Sequence, residues 1–116
     1  MAGSLQRAED GRCVVPNVMR TENMLERMRG LLGRSPLQPG QGMLIDPCAA
    51  VHAIGMTYPL DLVFLSAGGQ IMKLVQSLKP WRMATCAGAR MVLELPAGTI
   101  AGQEMAAGQT LNWANA

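Results

Sequence analysis

The chain has 116 residues, ten Lys and Arg against eight Asp and Glu, and a formal net charge of +2. That excess is small, and no run of basic residues tracks a phosphate backbone, which argues against a nucleic-acid partner. No apolar stretch is long enough for a membrane span, and 49% apolar residues with 13 Gly and 7 Pro fit one turn-rich globular domain able to bury its own core.

Aromatic residues are only 3% of the chain while Met reaches 10, so methionine is expected to fill core gaps, with a Met-rich partner surface as the functional alternative. Six of the basic residues fall early, at Arg7, Arg12, Arg20, Arg27, Arg29 and Arg34, but Glu9, Asp10, Glu22 and Glu26 cancel their field, the pattern of a solvated face. Three cysteines, Cys13, Cys48 and Cys86, with no Cys-x-x-Cys pair argue against a secreted disulfide framework. The first residues lack the apolar region of a signal peptide, so a reduced cytoplasmic protein is expected.

In chain order, residues 1–11 are polar and end in Asp10-Gly11, which predicts a flexible tail ahead of a single domain over 12–116. Cys13, Val14 and Val15 start a strand that Pro16 confines to an edge or a bulge. From Thr21 the period changes: Met24, Leu25, Met28, Leu31 and Leu32 make the stripe of an amphipathic helix over residues 21–33, with Gly33 and Pro36 as its stop. A turn-rich stretch to Gly42 precedes a short strand at Met43, Leu44 and Ile45, and another is expected from Val51 to Ile54.

Leu60, Leu62, Val63, Phe64 and Leu65 are too continuous for a half-exposed strand and predict one buried on both faces. Ser66 to Gln70 joins it at hairpin distance to Ile71, Met72, Leu74 and Val75, so the two should pair antiparallel. Residues 82–88 read as a loop. Met91, Val92, Leu93 and Leu95 form a further strand interrupted by Glu94, a short helical turn is expected between Thr99 and Met105, and Thr110 to Trp113 is a last strand. The expected fold is α+β: a small, mainly antiparallel sheet or partly open barrel with one amphipathic helix near the amino terminus.

Four blocks then follow one another at recognisable spacings: Arg29-Gly30-Leu31-Leu32 with Arg34; Gly42-Met43-Leu44; His52 with Met56, Pro59, Leu60 and Asp61; and Leu93-Glu94-Leu95-Pro96-Ala97-Gly98. Together they resemble the domain of unknown function family 192, over about residues 12–114. The resemblance implies a fold rather than a reaction, because no activity is settled for that family. Many of its members look exported or lipid-anchored, from which this chain departs, and many carry tryptophan where His52 stands here.

The chain's only histidine, tyrosine and phenylalanine all lie between Cys48 and Leu65, and three chemistries are open there. Cys48, His52 and Cys86, with Asp61, have the residue types of a tetrahedral metal site but not the spacing of a known one. A Cys48–His52 nucleophile pair with Asp61 fixing the imidazole is the catalytic variant, against plain buried cysteines. Asp61 and Glu94 are carboxylates inside apolar strands, where an unpaired charge is costly. An ion pair to Arg34 or Arg29 is the structural resolution, and a ligand-facing pair the functional one. Trp81 and Trp113 could be stacking platforms but are expected to be partly buried anchors.

The expected function is a non-catalytic ligand- or partner-binding module around His52, Asp61, Glu94 and Arg34, with no cofactor and with a small molecule or a protein as partner. An enzyme using Cys48 and His52, and an interaction module linked to envelope or secretion systems, are the alternatives.

Overall fold

The computed structural model describes residues 1–21, 36–53 and 57–116. In chain order the elements are β1 (Ala2–Arg7), β2 (Cys13–Arg20), β3 (Gln41–Ile45), β4 (Ala50–His52), β5 (Leu60–Leu65), β6 (Ile71–Leu78), β7 (Met83–Thr85), β8 (Met91–Pro96), α1 (Thr99–Gly102) and β9 (Leu111–Asn115). Seven of the strands form one sheet in the order β6-β5-β8-β3-β2-β1-β9, and β4 and β7 form a separate antiparallel ribbon. Every neighbouring pair in the large sheet is antiparallel except β2 and β3.

The sheet curls into a half-barrel, bringing its two edges together where Gln70 bridges Thr110. Around that point the Ile71 N–H donates to the Gln109 carbonyl at 2.8 Å and the Leu111 N–H to the Gly69 carbonyl at 2.9 Å. Curling gives the sheet an inside and an outside, and side chains alternate between them with the strand period. Val63 and Leu65 of β5 join Leu44, Leu93, Leu95 and Ile100 in the inner core. Leu60, Leu62 and Phe64 of the same strand join Met43, Ile45 and Val92 in a second, outer core under the β4–β7 ribbon. All six residues of β5 are buried, which is why its sequence shows no alternation.

The α+β expectation is corrected here: the described residues are dominated by strands, and their one helix, α1, has four residues. The amphipathic helix expected over 21–33 falls almost wholly outside the described residues. Residues 2–7, expected in a flexible tail, are a strand hydrogen-bonded on both sides, to β2 and to β9. The polar sequence of β1 hides this because only Leu5 and Arg7 of its long side chains are buried. Arg7 stays inside by donating to Asp10 at 2.9 Å and to the Gln103 carbonyl at 2.9 Å. Met83 to Thr85, expected in a loop, pair with β4.

Gly69 is buried at φ +87°, and a Cβ there would run into the Leu111 carbonyl, so only glycine lets the β5–β6 turn meet β9. Gly68 beside it has open space and no positive φ. Gly69→Ala is expected to cost about 2 kcal/mol or more, and Gly68→Ala less than about 0.5 kcal/mol, in urea unfolding midpoints. Equal midpoints for the two variants would remove this turn from the closure of the half-barrel.

Candidate functional site

Asp61 is fully buried on the inner side of β5, and its carboxylate is satisfied by backbone amides. Oδ1 accepts from the Ser77 N–H at 2.8 Å, and Oδ2 accepts from Gly98 N–H at 3.0 Å and Ile100 N–H at 2.9 Å. The first donor exists because β6 is bulged opposite Asp61: Leu60 pairs with Leu78 and Leu62 with Val75, leaving an extra residue whose N–H turns inward. The other two belong to the start of α1, whose own first residues offer no side-chain cap. Three amides thus meet the Asp61 carboxylate, and Arg29 and Arg34, the expected ion-pair partners, lie outside the described residues.

Glu94 lies on the opposite side of the sheet. It is 5% exposed, and its Oε2 has no hydrogen-bond partner among the described residues. The strand registers place it in a row of outward-facing residues, Ala2, Met19, Met43, Glu94, Leu62 and Val75, running across six strands. Burial among them pushes the carboxyl up to about 7. The Tyr58 hydroxyl is likewise buried without a partner among the described residues, and burial, then the nearby Glu94 charge, raise that phenol above its ordinary range. At the β1–β3 end of the row the outer surface sinks into a groove of about 520 Å³, with Asn17, Met19, Leu37, Gln41 and Met43 in its walls.

The remaining expected site residues are not brought together. Cys48 packs against the outer core and its Sγ donates to the Ala50 carbonyl at 3.0 Å, whereas His52 is exposed at the far end of β4, opposite Met83. Asp61 faces the inner core and so cannot orient that imidazole. Cys86 touches the same outer layer as Cys48, and no three His, Cys, Asp or Glu among the described residues are placed to hold a metal ion. Trp81, expected as an anchor, is 69% exposed, while Trp113 does pack on the inner core. Tyr58 has no role among the sequence expectations; its place directly before Pro59, as the chain's one tyrosine, was the available signal.

The fold and the site define a small half-barrel domain with a buried acid on its outer face. The chain belongs to the DUF192 family, described as an uncharacterised group, whose model matches residues 5–113. In structure it is similar to a candidate transcription regulator from Sinorhizobium meliloti, with a TM-score of 0.84 and 24% identity over 97% of this chain and 94% of that one. It is also similar to a protein of unknown function from Novosphingobium aromaticivorans, with a TM-score of 0.77 and 21% identity over 97% and 84% of the two chains. At these identities the likeness is one of fold. No curated protein matches the sequence. No helix among the described residues is long and apolar enough to cross a membrane.

Asp61→Asn replaces one acceptor oxygen by an amide that faces a backbone donor. It is expected to lower stability by about 2–4 kcal/mol, read from denaturant midpoints at pH 7. A variant unfolding with the parent would mean that the three amide bonds to Asp61 do not hold the fold. Glu94 acts in the other direction. An unfolded glutamate releases its proton near 4.5 and the folded one near 7, so between those values only the folded state holds the proton and stability falls as pH rises. The full cost above pH 7 is roughly 3 kcal/mol. Glu94→Gln should match the parent at pH 4 and exceed it at pH 8; parallel stability curves across that range would refute the buried acid.

Proposed function

We propose that this domain is a non-catalytic binding module and that its ligand is read on the outer face of the half-barrel by Glu94 and Tyr58. One observation carries this reading: the buried Glu94 carboxyl and the Tyr58 hydroxyl, close enough for the Glu94 charge to act on the phenol, each have a buried atom that no described residue hydrogen-bonds. Leaving such atoms unpaired costs folding energy, and a ligand offering a donor and an acceptor recovers it on binding. A carboxyl that titrates near neutrality can take either part in that exchange, and the phenol beside it can take both. The groove over Met19, Gln41 and Met43 adjoins the pair in the same cross-strand row, and the flexible side chain of Met43 stands between them. Asp61 enters this reading as the support of the fold, and His52 and Cys48 have no part in it.

The test is an amide NMR titration of isotope-labelled protein against a panel of small metabolites and metal ions. Shifts centred on Tyr58, Glu94 and Met43, weakened about tenfold or more in Glu94→Gln and Tyr58→Phe, are the expected result. A panel that leaves these three residues unmoved rejects the reading.

A further inference from the structure

A half-barrel is sealed along its strands and accessible where they end. At the end where β2, β3 and β5 terminate, a recess of about 170 Å³ leads into the inner core. Its floor is apolar, made by Leu5, Leu44, Leu65, Met91 and Leu111. Its rim is polar on one side, with Arg20 and Trp113, and is made by the Gly68 and Gly69 backbone of the β5–β6 turn on the other.

The rim is held in place by its neighbours. The Trp113 Nε1–H donates to Asn115 Oδ1 at 2.7 Å, and the ring lies against Gly3, where a Cβ would collide with it. The Arg20 guanidinium carbon is 5.6 Å from the centre of that ring, within cation–π range. Arg20 Nη2 donates to Asp46 Oδ2 at 2.8 Å, and Arg90 Nε donates to the other oxygen at 2.9 Å. Burial alone would raise the Asp46 carboxyl, but the hydrogen bonds from Arg20 and then Arg90 outweigh it and hold Asp46 below the ordinary range, ionised. Two guanidiniums share one carboxylate, so among the described side chains Arg20 and Arg90 carry one more positive charge than Asp46 neutralises. Arg20 makes no other side-chain hydrogen bond to the described residues, and its side chain, 31% exposed, lines the recess with N–H donors that Asp46 does not use.

We propose that this recess binds a small carboxylate with a short apolar tail, its head against Arg20 and its tail on the leucine floor. The site is separate from Glu94 and Tyr58, which face the other side of the sheet. The guanidinium fork matches a carboxylate and repels a cation, and the dry floor rewards an apolar tail that inorganic phosphate lacks. Size limits the tail, because an apolar cavity of about 150 Å³ accommodates benzene, so with its carboxylate left at the rim a ligand of roughly six to nine non-hydrogen atoms fits. For so few atoms the dissociation constant is expected on the order of 0.1–1 mM.

The experiment titrates the full chain, isotope-labelled and at low salt, with butyrate and benzoate, using butyramide as the neutral match. The Trp113 indole and the Gly68, Gly69 and Asn112 amides report occupancy. Saturable shifts with the two acids and none with the amide are the expected result. Arg20→Gln should weaken binding about tenfold or more, with Arg20→Lys in between. Asp46→Asn, which releases both arginines, should tighten it several-fold, so two substitutions at one ion pair move the affinity in opposite directions. Equal response to butyramide, weaker binding in Asp46→Asn, or no saturation by about 50 mM acid overturns the proposal. Shifts confined to Tyr58 and Glu94 also overturn it, and assign the acids to the outer face instead.

Discussion

A carboxylate without a neighbouring cation holds the closed end of this half-barrel among the described residues. Asp61 sits in β5, whose six residues are all buried, and its three amide partners come from the β6 bulge and the start of α1. Each partner belongs to a segment with a missing backbone bond of its own: a bulged residue outside the ladder, and the first turn of a helix too short to cap itself. One side chain thus compensates two local defects and fixes where α1 lies. Ile100 is carried by that helix into the inner core, so the packing of Leu95 and Val63 depends on the same carboxylate.

The two faces of the sheet use acidic residues in opposite ways. On the inside, the Asp61 charge is met completely and serves packing. On the outside, Glu94 stands among Met43, Leu62 and Tyr58 with an oxygen unmet, and neutrality is the cheaper state for it. Both residues look alike in the sequence, as lone acids in apolar strands. What separates them is the supply of backbone donors nearby: a bulge and a helix start lie beside Asp61, while Glu94 lies within a regular ladder whose amides are already paired.

Much of the fold was legible because burial on both faces leaves a direct signature. The unbroken run from Leu60 to Leu65, the hairpin spacing to Ile71, and the strands at Met43 and Met91 all lie where periodicity places them. β1 was not legible, because a strand whose long buried side chains are one leucine and one arginine carries no alternation, and Arg7 is inside only by virtue of Asp10 and the Gln103 carbonyl. The partners of Asp61 were hidden for a related reason. Backbone amides freed by a bulge leave no mark in side-chain identity, so an arginine was the natural expectation. Arg20, Asp46 and Arg90 meet only through the register of β2, β3 and β8, which no local spacing encodes.

The edge strand β6 carries one more consequence. Beyond its bridge to Thr110 it has no strand on its outer side among the described residues, the situation in which a second chain can add itself to a sheet. The strand is poorly suited to such growth. Lys73 stands exposed midway along it with its ammonium on the Thr85 carbonyl at 2.8 Å, and the backbone turns to φ +54° at Ser77, breaking the flat repeat that an incoming strand would need. The bulge that lends its amide to Asp61 is thus also the place where the edge departs from a flat strand.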